Sequence, residues 1–295
     1  AVHRGALFEA LLDAARQAGV IIEGGCEIAG AGDGRLVLRG GATTAKFDLV
    51  VDALGVRSPL SRAQPLPPLP FGALWSNLDW PAGSGFDAMA LEQRYEAARR
   101  MVGVLPIGSV RPGAPRQAAF FWSLKPADAE AVRASGIEAL KRRILDQWPA
   151  CEAFTCQISG FEQLALARYG HHTLLPPVGR NLAIIGDSAH STSPQLGQGA
   201  NMALLDARAL AYAVQQAGDV PAALEAYAHS RRRHVRVFQA LSSMFTPFYQ
   251  SDSLLLPFIR DRLVATIAKI PPAPSVLAAM VAGTLVDPFR RIGLE

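Results

Sequence analysis

The residues from Asn181 to Ala207 read N-L-A-I-I-G-D-S-A-H-S-T-S-P-Q-L-G-Q-G-A-N-M-A-L-L-D-A, and no other stretch narrows the possible folds so far. Leu182 to Ile185 is a short continuous apolar run, the pattern of a strand covered on both faces. Gly186 lets the chain turn, and Asp187 sets a carboxylate at the strand's carboxyl end, the edge where ligands gather in open α/β sheets. Pro194, Gly197 and Gly199 keep side-chain bulk away from whatever lies over the loop. A helix is expected from about Ala200 to Gln216. Its free N–H groups and positive dipole end, beginning around Gln198, Gly199, Ala200 and Asn201, point at the same spot. A carboxylate can hold ribose or ribityl hydroxyls, and a helix N-terminus can stabilise an anion. Strand, acidic turn, glycine loop and helix in this order are the parts that a dinucleotide requires.

The stretch resembles the second FAD-binding motif of the aromatic-hydroxylase family of flavin monooxygenases, the para-hydroxybenzoate hydroxylase-like group. That family shows G-D-x-A-H, a proline, G-Q-G-x-N and a following aspartate. Gly186, Asp187, Ala189, His190, Pro194, Gly197, Gln198, Gly199, Asn201 and Asp206 all match. Core packing alone would not call for a Gly-Gln-Gly loop beside an aspartate and a proline. A second phrase, V-H-R-x-x-L-x-x-x-L at Val2, His3, Arg4, Leu7 and Leu11, is similar to a family segment about one hundred residues from its N-terminus. The resemblance there implies that Arg4 lies near the flavin. A third, D-A-L-G-V-R-S at Asp52 to Ser58, stands where the family shows G-A-D-G-x-x-S. Ala53, Gly55, Arg57 and Ser58 fit, but Leu54 replaces the aspartate that lies near the pyrophosphate and the approach of the nicotinamide. Leucine accepts no hydrogen bond, so direct use of NADPH or NADH is put in doubt. Asp52 is a weak substitute, because a strand neighbour two residues earlier would have to point elsewhere.

The resemblance implies an α/β (α+β composite) fold: a Rossmann-like FAD-binding domain, an inserted antiparallel-sheet substrate domain and a C-terminal helical tail. The expected boundaries are 1–70 and 171–217 for the two parts of the FAD-binding domain, 71–170 for the substrate domain and 218–295 for the helical region. The family opens with a strand, a G-x-G-x-x-G turn and a helix that hold the adenosine half of FAD. Gly83 to Ala88 follows Trp80-Pro81 and reads as a surface turn. Gly30, Gly32 and Gly34 also read as a turn. The first βαβ unit is therefore expected to be missing from this N-terminally incomplete sequence.

Within that frame, Leu7, Leu11, Leu12 and Ala15 predict a helix that Gly19 stops, and Val20 to Ile22 a strand. Arg35–Leu38 and Lys46–Val51 suggest a hairpin-like pair around Gly40 and Gly41. Pro65 to Pro70 marks a linker or stiff turn. Strands are expected at Phe71–Leu78, Met89–Gln93, Met101–Pro106, Gln117–Leu124 and Phe154–Leu164, with a helix over Ile137–Trp148. Trp75, Trp80, Phe120, Phe121 and Trp122 read as core residues before they read as a stacking platform. Val220 to Phe248 is a long helical pattern entered through Asp219 and Pro221.

The 295 residues suffice for two domains, and half of them are hydrophobic. A net charge of +4 is mild. The run Arg231, Arg232, Arg233, His234, Arg236 reads as a solvated helix face, and no nucleic-acid partner is expected. Three cysteines, Cys26, Cys151 and Cys156, form no C-x-x-C pair. They fit a reducing, cytoplasmic setting without disulfides or a metal site. No leader is visible, and no apolar run is long enough to span a bilayer. The tail from Ser251 leaves packing on the body, homodimerisation and peripheral membrane contact open.

The resemblance implies an FAD-dependent monooxygenase that hydroxylates an aromatic, quinone-like or polyketide-like small molecule through a flavin C4a-hydroperoxide, with NADPH or NADH as electron donor. No catalytic acid or base identifies itself; Arg94, Tyr169, His171 and His172 are pocket candidates. Leu54 keeps a halogenase or reductase on the same fold in view, although the W-x-W-x-I-P halogenase pattern is absent. An inactive fragment lacking the adenosine site is a further alternative.

Overall fold

The computed structural model describes residues 1–61 and 68–286. Residues 65–67, half of the expected linker Pro65–Pro70, fall outside the described residues. In chain order the elements are α1 (Arg4–Gln17), β1 (Ile28–Gly32), β2 (Arg35–Leu38), β3 (Val50–Asp52), β4 (Gly72–Asp79), β5 (Glu92–Glu96), β6 (Arg100–Gly108) and β7 (Gln117–Leu124). Then follow α2 (Ala129–Ala134), α3 (Ile137–Gln147), α4 (Glu152–Thr155), β8 (Ala165–Arg168), β9 (Val178–Gly179) and β10 (Leu182–Ile184). The last are α5 (Gly199–Gln216), α6 (Val220–Tyr249), α7 (Leu255–Ile259), α8 (Ala265–Ile267) and α9 (Ala273–Ala282). The chain divides into two compact units. One comprises Ala1–Gly24, Pro70–Arg168 and Phe248–Pro257; the other comprises Gly25–Leu69, Tyr169–Pro247 and Phe258–Glu295.

The first unit is built on an antiparallel sheet in the order β5-β6-β7-β4-β8. Period-two alternation sends Ala118, Phe120 and Trp122 of β7 to the covered face, in register with Leu78, Ser76 and Leu74 of β4. Leu140 and Ile144, one turn apart on α3, close over them together with Trp148 and Phe154. The helix stops at Trp148, which precedes Pro149, a position where helical backbone is disfavoured. Trp75 and Phe121 are register partners on the opposite face and stay half-buried.

The expected strand over Phe154–Leu164 does not form. Glu152–Thr155 is helical, Phe161–Gln163 is a 3₁₀ turn, and the sheet resumes only at β8. Phe154 is fully buried, with its ring stacked 6.1 Å from Phe120 and edge-on to Trp80 at 5.8 Å. The Gln163 side chain accepts hydrogen bonds from the N–H groups of Ser159 (2.6 Å) and Gly160 (3.3 Å). These local bonds compete with ladder bonds for the same backbone. Val20 to Ile22 is likewise no strand: all three side chains are exposed, and no strand pairs with them among the described residues. At α1 the ring of His3 caps the helix, Nδ1 accepting from Gly5 N–H at 3.0 Å.

The second unit holds a three-stranded sheet, β3-β10-β9, and a separate β1–β2 hairpin. Here the expected hairpin-like pair around Gly40 and Gly41 is reduced to an isolated Val37–Thr43 bridge, with Phe47 N–H bonded to Gly34 O at 2.8 Å, and the regular ladder of β2 forms on its other side. β2 folds back on β1 through Asp33-Gly34, both with positive φ, an Asp-Gly pair suited to a tight hairpin. Gly30 and Gly32 are therefore strand residues, and only Gly34 lies in a turn. The following run delivers β3 alongside β10 in parallel, Val50 opposite Leu182 and Asp52 opposite Ile184. On α5 the buried residues are Met202, Asp206, Ala209, Leu210 and Ala213, one stripe at helical spacing. The buried stripe of α6 includes Leu224, Tyr227, Arg231, His234, Val235 and Phe238. Asp219 starts that helix by accepting from Ala222 N–H at 2.8 Å.

Candidate functional site

β10 delivers the chain into the acidic turn. Gly186 has φ 59° and is buried, and a Cβ there would meet the Ala203 Cβ at 3.0 Å. Only glycine combines that backbone with that approach. Asp187 follows, exposed, and none of the hydrogen bonds or ion pairs described for the molecule involves its carboxylate. A Cβ on Gly199, the first residue of α5, would stand 3.9 Å from Asp187 Oδ1. The carboxylate and the helix start are thus neighbours. No side chain caps α5, and no acidic residue stands in its first turn. Pro194, Gly197 and Ala200 are exposed along this edge, and Gly197 takes a left-handed turn into open space.

Gln198 and Asn201 behave differently from their neighbours. Asn201 Nδ2 donates to Gln198 Oε1 at 2.8 Å, and Gln198 Nε2 donates to the carbonyl of Val281 in the last turn of α9. Their side chains tie the glycine loop to the C-terminal helix, so only their backbone faces the open edge. Gly283 sits against this pair with φ 78°, where any Cβ would collide with both amides.

Beneath the turn lies a buried ionic cluster. Asp206 is fully buried and accepts from Gly186 N–H (2.9 Å), His190 Nε2 (2.6 Å) and Arg231 Nε (2.7 Å). Burial alone would push its carboxyl up. The His190 hydrogen bond and charge, and then Arg231, outweigh this and hold it below the usual carboxylate range. Arg231 is 1% exposed, and its Nη1 and Nη2 have no hydrogen-bond partner among the described residues. The expected solvated face is therefore corrected. Arg231 and His234 turn inward on the α6 stripe, whereas Arg232, Arg233 and Arg236 are exposed. His234 Nε2 donates to Gly283 O (3.0 Å), and burial lowers its pKa to about 4.

A second buried network joins the two strand ends. Asp52 is fully buried and accepts from Leu54 N–H (2.9 Å), Ser58 Oγ (2.6 Å) and Ser188 Oγ (3.0 Å). Ser188 Oγ also accepts from Gly55 N–H at 2.7 Å. Asp52 is thus consumed in holding the loops together and cannot take over from the missing aspartate, while Leu54 is 51% exposed. Gly55 is fixed by the same net, with φ 83°.

Other candidates separate. Arg4 belongs to the first unit, exposed at the start of α1. Arg94, on β5, stacks 5.0 Å above the Trp148 ring. His172 is buried and bonded to Ser191 Oγ (2.7 Å) and Ser188 O (3.1 Å), while His171 is only half-buried. Tyr169 is half-buried, and burial raises its phenol pKa. Cys151 is buried, its thiol pushed up to about 12 by burial.

An unpartnered carboxylate at the carboxyl end of a parallel strand, beside an uncapped helix start on a glycine loop, is an arrangement that suits a nucleotide in an α/β protein. The chain belongs to the FAD binding domain family, whose sequence pattern matches residues 10–241. It is 33% identical over 118 residues to a 3-(3-hydroxy-phenyl)propionate/3-hydroxycinnamic acid hydroxylase of Burkholderia vietnamiensis, an alignment that covers 37% of this chain. The chain thus spans about a fifth, 21%, of that relative's length. Among solved structures, a 2-methyl-3-hydroxypyridine-5-carboxylic acid oxygenase superposes with a TM-score of 0.72 at 21% identity, covering 97% of this chain and 72% of the other. HpxO of Klebsiella pneumoniae, solved with FAD and uric acid, gives 0.72 at 17% identity, with 95% and 70% covered. At these identities the structures speak for the fold. The family's cofactor is FAD, and the open edge meets its needs: a free carboxylate for hydroxyls, a free helix start for an anionic edge, and glycines that admit a close approach.

Proposed function

We propose that Gly186, Asp187, Pro194, Gly197, Gly199 and Ala200, with the backbone of Gln198 and Asn201, hold FAD, and that Gly55 contributes to the same task. The proposed activity is flavin-dependent hydroxylation of an aromatic small molecule with NADPH or NADH as electron donor. The carrying observation is the unpartnered Asp187 carboxylate beside the uncapped start of α5. FAD would supply the redox chemistry. The residues of this chain bind and orient it: Asp187 accepts from ribityl or ribose hydroxyls, and the first-turn N–H groups of α5 stabilise negative charge. Pro194 stiffens the loop beside the open edge. Asp206, His190 and Arg231 fix the Gly186 turn on which Asp187 rides. The names of the relatives, hydroxylases and oxygenases of aromatic acids, support this reaction class.

A second reading rests on Leu54. With Asp52 consumed in the loop network, the flavin would receive electrons from a partner reductase, as in a halogenase-like or partner-reduced enzyme. One experiment separates the two. Added FAD is followed by its absorbance under anaerobic NADPH or NADH. Bleaching by nicotinamide supports the self-sufficient hydroxylase; bleaching by dithionite alone supports the partner-reduced enzyme. Absence of a protein-perturbed flavin spectrum would refute both. We further propose a cytoplasmic enzyme with a small-molecule substrate. No described helix is long and apolar enough to cross a membrane. The exposed Phe258, Leu263, Ile267 and Ile270 of the tail suit contact with a second copy or a membrane surface.

A further inference from the structure

The basic run on α6 holds more than the buried Arg231. Arg232 and Arg236, one turn apart, line with His229 a cleft of about 650 Å³ whose other wall is the segment around Val178 and Arg180. Leu224 and Val178 give the cleft apolar lining, with Leu224 largely buried and Val178 half-buried. Three arginines thus line one recess, and Glu225 is the one carboxylate in its lining. Arg232 and Arg236 form no ion pair among the described residues, and Arg180 reaches only an exposed Asp33 at 3.7 Å. Like charges one helical turn apart repel each other, so the arrangement costs stability unless something anionic balances it. A recess of this volume is the size of a small-molecule site. It lies by Arg180 and Asn181, which precede β10, whereas Asp187 follows that strand.

We infer that this cleft is a second binding site, specific for a small organic anion with an apolar body. The carboxylate or equivalent group is held by Arg232, Arg236 and Arg180, and the apolar body lies along Leu224 and Val178. Guanidinium groups suit this role because their planar N–H forks match the two oxygens of a carboxylate. The chemistry does not depend on the flavin, so the site stands or falls separately from the proposed oxygenation.

The test uses the whole chain labelled with 15N at arginine Nε and follows those resonances in solution. The probe is 3-phenylpropionate, with 3-phenyl-1-propanol, propionate and inorganic phosphate as controls. Signals are assigned by their loss in R180Q, R232Q and R236Q. The expected result is saturable shifts at Arg232 and Arg236 with phenylpropionate, and at least tenfold weaker effects from each control. The double variant R232Q/R236Q should lose the binding while its FAD titration stays unchanged and its unfolding midpoint rises slightly, the like-charge repulsion being removed. Shifts of equal size with the alcohol would overturn the assignment, leaving only an apolar groove. Equal shifts with phosphate would overturn the amphiphile class. Absence of shifts at Arg232 and Arg236 would remove the site altogether.

Discussion

Asp206 shows how one side chain sets the conformation of a loop. It occupies a core position on α5, where an unpaired charge would be prohibitive, and it is tolerated because three donors converge on it. Replacing Arg231 with leucine would strand that carboxylate. We expect a loss of about 3–5 kcal/mol in unfolding free energy, the range for breaking a buried pair, read by urea denaturation; a loss near zero would contradict the assigned role. His234 gives a pH-dependent test. Its folded pKa of about 4 lies below the ordinary 6.5. Between these values the unfolded chain therefore binds more protons, and stability rises with pH. Acidifying from pH 6.5 toward 4 should lower Tm progressively, and H234Q should flatten that slope. Asp206, with its depressed pKa, adds a second loss only at still lower pH, below the ordinary carboxylate value. Asp206 could be placed from sequence, because it falls on the motif and on the apolar stripe of its helix. Arg231 could have been placed too: Leu224, Tyr227, Arg231 and Val235 keep helical spacing. A cluster of positive charge is ordinarily solvent-facing, and that expectation prevailed over the period.

Among elements, α5 was legible to within a residue because its apolar stripe, glycine loop and proline all agree. The long α6 was legible from Asp219 and Pro221. Short strands were not. Val20–Ile22 has strand composition but no partner, since pairing is a property of two segments. Phe154–Leu164 has a strand-like run whose first phenylalanine, Phe154, is better used under the sheet than in it. Phe154→Ala should cost about 3–5 kcal/mol, as for large aromatic truncations in cores, measured by chemical denaturation. The clasp between the glycine loop and the end of α9 was invisible in sequence because Gln198 and Val281 are far apart in the chain. Gly283→Ala probes it. The left-handed backbone there costs a Cβ-bearing residue about 1–2 kcal/mol, before its collision with Gln198 and Asn201. We expect a drop of at least that size in unfolding free energy, together with weaker FAD binding. Unaltered stability would show that the clasp does not hold the loop.

For the molecule as a whole, sequence conveyed the kind of ligand better than the kind of chemistry. The Gly186–Asp206 motif is legible as a proposed cofactor crevice because its positions answer local needs: a turn, a carboxylate, a bare approach, a free helix start. Substrate recognition has no such local grammar, since pocket walls are assembled from side chains distant in sequence, and Trp75 and Phe121 meet only through register. The loop network around Asp52 was likewise hidden, because Ser188 reaches it from the far side of the chain. Its consequence, that Leu54 has no carboxylate standing in for it, bears directly on how electrons reach the flavin.

The most direct test of the central claim is a fluorescence-quenching titration of FAD into the wild-type chain and Asp187→Ala. A hydrogen-bonded charged group contributes about 1.5–3 kcal/mol. The variant should therefore bind FAD roughly 10- to 150-fold more weakly, with an unchanged apo unfolding midpoint because Asp187 is exposed and bonded to nothing else described. Equal affinity in the two proteins, or no saturable quenching in the wild type, would contradict the assignment of this edge as the flavin site.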